Sequence, residues 1–186
     1  MIFVEGNDDK NFLVSLLQDL KKSNDIDLKE PANFQNYIEV MGSKAKLLDA
    51  TNSKYEKNSK KIKIGTIQKV LFIFDCDFIE DDNKCNGMQK SKECYDKLIK
   101  ELDWDISSDV YIFDKNLDYF LIETIKDKEC YTNFDGLVKC LEVEKIKPNK
   151  KPIANLYRDL YPYPKFEYKD EKFNEVKQKL KNLFEE

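Results

Sequence analysis

No histidine occurs among the 186 residues. Its absence excludes a Ser-His-Asp or Cys-His pair, an imidazole base and any histidine-ligated zinc. Any chemistry must come from carboxylates, lysines, cysteines or a bound metal. The five cysteines stand at 76, 85, 94, 130 and 140. Their number is odd and no pair has CxxC spacing, which speaks against a zinc cluster and predicts reduced thiols in a cytoplasm. Arg158 is the sole arginine, which leaves little scope for bidentate clamps on phosphate. No apolar run approaches the ~20 residues of a membrane span, and no signal-peptide pattern precedes the first apolar segment. The expectation is a cytoplasmic protein without membrane attachment. The net charge of −4 means that the average field does not attract nucleic acid, so a polyanion would have to meet a local basic patch. No internal repeat or low-complexity tract is visible.

What is present suits a folded chain. Hydrophobic residues make up 41% and aromatics 12%, enough for a core, while charges of both signs keep the surface soluble. The length suits one domain with a small C-terminal addition. Residues 2–4 (IFV) read as a short apolar strand. Residues 8–22 read as a helix that Asp8 can cap, with Phe12, Leu13, Leu16, Leu17 and Leu20 on one stripe. A polar loop with Pro31 leads to a second strand, 36–41 (NYIEVM), and Gly42 ends it. Ser43 caps a helix predicted over 44 to about 56, and the lysine-rich 54–63 reads as a solvated stretch.

The third strand is the clearest, KVLFIFDCD over 69–77. A run of five apolar residues fits a central parallel strand covered on both faces. A loop at 80–87, a helix at 89–102, a fourth strand at 110–114 (VYIFD) and a helix start at 116–125 follow. Beyond that, the pattern gives a short helix around 137–141, a basic linker at 147–152, a helix at 153–161, a turn at 161–165 and a last helix at about 170–184. Strand-helix alternation of this kind predicts an α/β sandwich around a mainly parallel four-stranded sheet flanked by helices. Residues 1–128 form the α/β domain in this reading, and 129–186 a helical C-terminal extension packed on it.

In such folds, sites form off the carboxyl ends of the strands. Glu5-Gly6 follows strand one, Asp75 and Asp77 end strand three, Asp114 ends strand four, and Asp118 opens the next helix. At a strand period of two, Asp75 and Asp77 point to the same side and Cys76 away. Two adjacent carboxylates repel unless something neutralises them, and hard oxygen ligands suit Mg²⁺ or Mn²⁺. Gly6 and Gly42 each follow a strand, where glycine permits a tight turn and close approach of a ligand. Each feature also has a plainer reading: a turn for Glu5-Gly6, surface acids for the DxD, a helix cap for Asp118 and a solvated loop for the lysines. The conjunction of acidic strand ends on one edge favours a metal-bound phosphate site.

These residues resemble the Toprim domain, shared by primases, topoisomerases and OLD-type nucleases, and most closely its small stand-alone bacterial members. VEGNDDKNFL carries the family's Glu-Gly with a nearby aspartate (Glu5, Gly6, Asp9), FIFDCD its DxD (Asp75, Asp77) and LDYFL its later acid (Asp118). Gly42, Ser43 and Lys44 match a GSK-like turn after strand two. The resemblance covers roughly residues 1–125. It implies a Toprim-like Rossmannoid sandwich with Mg²⁺ (or Mn²⁺) at Asp75, Asp77 and Asp118. It also implies Glu5 as general acid/base or further ligand, with Asp9 and Lys44 beside it as catalytic candidates. Gly6, Lys10, Gly42 and Ser43 are then the candidates to meet phosphate. Two positions depart from the pattern: Glu80 stands where a glycine is usual after the DxD, and the third acid is Asp118, with Glu123 a competitor.

The leading expectation is Mg²⁺-dependent phosphodiester chemistry on nucleic acid, DNA or RNA, by nuclease-type cleavage. Lys46 near the site and the runs Lys60, Lys61, Lys63 and Lys145, Lys147, Lys150, Lys151 are available to track a backbone. The alternative is a catalytically weak or inactive Toprim-fold module that binds metal and works through a protein partner or as a homodimer. A phosphatase or phospho-acceptor of the receiver or haloacid-dehalogenase type fits less well. The first expects a lysine at a later strand end, and the second a DxD on its first strand.

Overall fold

Strand β1 (Ile2–Val4) is apolar at every position because it lies between two packed layers. Side chains alternate faces along a strand. Ile2 and Val4 enter one apolar cluster and Phe3 the other, all fully buried. Strand β3 (Lys69–Asp75) repeats the pattern: Leu71 and Ile73 join Ile2 and Val4, while Val70, Phe72 and Phe74 join Phe3. Together with β2 (Ile38–Val40) and β4 (Ser107–Phe113) they form one sheet in the order β2-β1-β3-β4, parallel throughout. Ile2 stands opposite both Ile38 and Leu71, and Asp75 opposite Phe113. The structure, a computed structural model, describes residues 1–26, 33–77, 84–124, 129, 132, 133, 136 and 168–185.

One layer is built by α1 (Asn7–Lys22), α5 (Leu117–Glu123) and α6 (Phe173–Phe184). Helix α1 buries Phe12, Leu13, Leu16, Leu17 and Leu20, and carries Asp8 and Asp9 in its first turn and Lys21 and Lys22 in its last, which suits the helix dipole. Phe12 lies 5.9 Å from Phe113, 6.4 Å from Phe120 and 6.4 Å from Phe173 between ring centroids, so the C-terminal helix shares the core of the N-terminal strands. The other layer holds α2 (Lys44–Leu47), α3 (Ser53–Lys63) and α4 (Met88–Leu102), with Leu47, Tyr55 and Leu98 buried against Phe3 and Phe72. The protein is thus an α/β, Rossmann-like sandwich: an all-parallel four-stranded sheet flanked by helices, with a C-terminal helix.

Three local expectations are corrected. The helix predicted over 44–56 is two helices, because Asp49 accepts hydrogen bonds from the amide and hydroxyl of Thr51 (3.0 and 2.7 Å) and turns the chain between them. The lysine-rich stretch is helix α3 rather than a loop. Asn52 caps it by accepting from the Lys54 amide at 3.1 Å, and Tyr55, 1% exposed, anchors it. The thiols are not all reduced: Cys85 and Cys94, nine residues apart, are joined by a disulfide, while Cys76 is free and buried. Sequence spacing cannot reveal that a loop residue and the second turn of α4 meet. The Pro31 loop, Glu80, Cys130, Cys140, the lysines at 145, 147, 150 and 151, Arg158 and the elements expected between 137 and 165 lie outside the described residues. No helix among the described residues is long and apolar enough to cross a membrane.

Candidate functional site

Because the strands are parallel, β1, β3 and β4 deliver their carboxyl ends to one edge of the sheet. Glu5 leaves β1 there, and its Oε1 accepts the Asp75 amide across 2.9 Å, while its carbonyl accepts the Gly42 amide at 2.7 Å. One residue therefore ties together the ends of β1, β2 and β3. Asp75 closes β3, and its Oδ1 accepts the Leu117 amide at 3.0 Å, which joins that strand end to the start of α5. Asp9, 7% exposed in the first turn of α1, accepts the Gly6 amide at 2.8 Å. The turn into α5 is capped by Asn116, whose Oδ1 accepts from the Tyr119 amide at 3.0 Å.

The acids perturb one another. Burial raises Glu5 to about 7, and Asp9 and Asp77 add to the rise, against the Asp75 amide and Lys44. Asp9 is raised to about 6, first by burial and then by Asp8 and Asp118, against the Gly6 amide. Asp75 stands well above the ordinary aspartate range, because it is buried and then because Asp9, Glu5 and Asp77 surround it. Glu5, Asp9, Asp75 and Asp77 thus form one electrostatic group, and Asp118 reaches it through Asp9. Glu123 lies elsewhere, paired with Lys172 ahead of α6.

A buried cation stands at the rim. Lys44, 5% exposed, donates to the Cys76 carbonyl at 2.9 Å and to Asp77 Oδ2 at 3.3 Å. The DxD does not keep the strand period at its second acid. Asp77 has φ +58, the left-handed region that a residue with a Cβ enters at a cost. Asp75 accepts from the start of α5 and Asp77 pairs with α2, and the two carboxylates still act on each other. Lys115, also left-handed at φ +62, faces this turn. Its carbonyl accepts the Asp77 amide at 2.7 Å, and its own amide donates to Cys76 Sγ at 3.1 Å. Lys115 Nζ rests over the Tyr119 ring, 4.7 Å from the centroid. Nothing in the sequence marks Lys115 or Cys76 as clasps of the site, although Asn116 ahead of an apolar run is a readable cap.

The expected phosphate-binding residues are arranged as follows. Gly6 is extended (φ −132, ψ 177), a conformation open to any residue, and a Cβ there would meet Asp9 Oδ2 at an ordinary 3.6 Å, so no tight turn requires this glycine. Gly42, at φ +101, does need its glycine. Both amides donate inside the protein, Gly6 to Asp9 and Gly42 to Glu5. Ser43 caps α2 by accepting the Lys46 amide at 3.2 Å. Lys10 is half-buried on α1, next to Asp9. Lys60, Lys61 and Lys63 fall in the last turn of α3. Among the described residues, no three carboxylates or thiols converge closely enough to enclose a metal ion by themselves.

Comparison with protein-family models, curated proteins and solved structures finds no match to this chain.

Proposed function

We propose that this chain holds a divalent cation, Mg²⁺ or Mn²⁺, at the carboxyl edge of its sheet and cleaves phosphodiester bonds of nucleic acid in the manner of a Toprim domain. One observation carries the reading: Glu5 and Asp9 from the β1–α1 junction and Asp75 from the end of β3 are gathered at one edge, where burial and mutual repulsion raise all three. A fold gains no stability from crowding acids in this way, and perturbed groups of this kind concentrate at functional sites.

The donor set suits such an ion in kind. All the side-chain donors are hard carboxylate oxygens, and Glu5, Asp9 and Asp75 are each oriented by a backbone amide. The lack of three converging protein ligands is compatible with Mg²⁺, which commonly takes one or two carboxylates and completes its shell with waters and substrate phosphate. An ion held by Asp75 and Asp77 would polarise the phosphodiester and acidify a bound water. Glu5, raised to about 7, is able to take up and return a proton near neutral pH. Lys44 keeps Asp77 in its turn and offers a positive charge to a phosphate oxygen. Lys10 in the first turn of α1 and Lys46 in α2 are the candidates to meet the substrate's backbone.

A second reading, a metal-binding or protein-interaction module without turnover, is favoured by the Lys44–Asp77 pair, in which an ammonium already occupies one DxD oxygen. Calorimetric titration of Mg²⁺ and Mn²⁺ into wild type and an Asp75→Asn/Asp77→Asn protein, followed by nuclease assays on single- and double-stranded DNA and RNA, separates these readings. Binding lost in the double variant together with metal-dependent cleavage by wild type is the expected result. Metal binding without cleavage of any substrate selects the module. Binding unchanged by the double substitution removes the site.

A further inference from the structure

The disulfide lies on the path that leads from β3 back into the second layer, close to the DxD. Cys85 is half-buried in the turn before α4, and Cys94 is half-buried on α4 itself. The turn between them is fastened to the site. The Gly87 amide donates to the Cys76 carbonyl at 2.8 Å, and Lys44 Nζ donates to that same oxygen at 2.9 Å while reaching Asp77. From the other side, fully buried Ser91 donates its hydroxyl to the Cys85 carbonyl at 2.7 Å, and its amide to the Gly87 carbonyl at 2.9 Å. A chain of short contacts therefore runs from the disulfide through Gly87 and the Cys76 carbonyl to Lys44 and Asp77. Gly87 has φ +81, a conformation that glycine adopts readily, and from it the amide reaches the Cys76 carbonyl.

We propose that Cys85 and Cys94 are a reversible thiol–disulfide site through which a peroxide oxidant and a dithiol reductant set the rigidity of the turn beside Asp77. Neither Cys85 nor Cys94 is fully buried, as attack by small reagents and by a reductant's thiolate requires. In oxidation, one thiolate attacks peroxide, the O–O bond breaks, and a sulfenic acid forms with release of hydroxide, which takes a proton to become water. The second thiol attacks that sulfur, the S–S bond forms and a second water leaves. Two thiols and one peroxide thus give one disulfide and two waters, with two electrons passing from sulfur to oxygen. In reduction, a dithiol attacks the bond, passes through a mixed disulfide and leaves as its own disulfide, returning both thiols. The oxidised form pins Cys85 to α4 and so holds Gly87 against the Cys76 carbonyl. The reduced form leaves that contact to the hydrogen bonds alone. The consequence for Asp77 rests on the metal-dependent reading above; the thiol chemistry does not.

The test is amide hydrogen exchange at Gly87 in peroxide-treated and dithiol-reduced wild type, with mass-spectrometric assignment of the 85 and 94 thiols apart from Cys130 and Cys140. Exchange at Gly87 is expected to rise about tenfold or more on reduction. A Cys94→Ser protein should exchange at the reduced rate under both conditions. Equal exchange in the two wild-type forms overturns the proposal, as does alkylation of both cysteines by iodoacetamide after peroxide treatment. The wild-type comparison stands even if the variant fails to fold. Mn²⁺ titration of the two forms separates the two readings: binding to neither removes the metal site, while a difference in exchange still upholds the thiol site.

Discussion

The two edges of the sheet treat charge in opposite ways. Near the amino ends of the strands, the cations meet oxygens directly, and the Met1 ammonium, lowered to about 5 by burial, donates to the Lys69 carbonyl at 2.9 Å. Lys69 donates to the Asn182 and Glu185 carbonyls at the end of α6, Lys179 pairs with Asp109 at 2.9 Å, and Lys181 with Asp25 at 2.7 Å. At the carboxyl ends, Glu5, Asp9, Asp75 and Asp77 share a small space, and Lys44 is bonded to only one of them. Apart from the buried Met1 ammonium, the amino edge has the arrangement that folding alone selects. The carboxyl edge crowds like charges, and in the proposed function that crowding marks it as the place where a cation would bind.

The comparison can be broken most severely at Glu5. Glu5→Gln keeps an oxygen that can accept the Asp75 amide but removes the titrating proton. Metal-dependent cleavage should fall roughly 10²–10⁴-fold, with Mn²⁺ affinity largely retained. Cleavage and calorimetry on the same preparation check this, and undiminished cleavage removes Glu5 from the chemistry. Next in size is the core that both edges share. Phe173, 1% exposed against Phe12 and Phe120, should cost about 3–5 kcal/mol when changed to Ala, read from urea denaturation. A loss below about 1 kcal/mol would show that α6 is only loosely attached. A smaller change of opposite sign is expected for Asp75→Asn. Without metal it takes an ionisable acid out of a crowded buried group while keeping an oxygen for the Leu117 amide, so the melting temperature should rise by a few degrees; a fall would mean that the Asp75 carboxylate stabilises the fold. Smallest of all is Lys179→Ala at the amino edge. Its pair with a half-exposed Asp109 is worth under about 1 kcal/mol, and the same denaturation experiment should barely register it.

Much of this contrast was legible in the residues. The apolar runs of β1 and β3 announce strands buried on both faces, and parallel strands must bring Glu5 and Asp75 to one edge. What escaped was conformational and long-range. The left-handed turn at Asp77 breaks the period-two rule that would aim both DxD carboxylates one way. Lysine is ordinarily exposed, so the burial of Lys44 follows only from a carbonyl and a carboxylate that arrive from over thirty residues away. Helix α3 was hidden by its lysines, because only Tyr55 and Asn58 are buried along it. The disulfide depends on where a loop crosses a helix, which no spacing encodes.

The central claim is that crowded acids destabilise the metal-free protein and that a divalent ion would relieve them. Glu5 and Asp9 are raised to about 7 and about 6 from 4.5 and 3.8, so the folded state holds more protons than the unfolded state between those values. Stability should therefore fall as pH rises through that window, by on the order of 3 kcal/mol for Glu5 alone. Thermal unfolding from about pH 5 to about pH 8, in chelator and in excess Mg²⁺, measures this directly. The account predicts a melting temperature that drops across the window in chelator and is restored by Mg²⁺ at the alkaline end. A melting temperature that climbs with pH in chelator, or that Mg²⁺ leaves untouched at about pH 8, would contradict it.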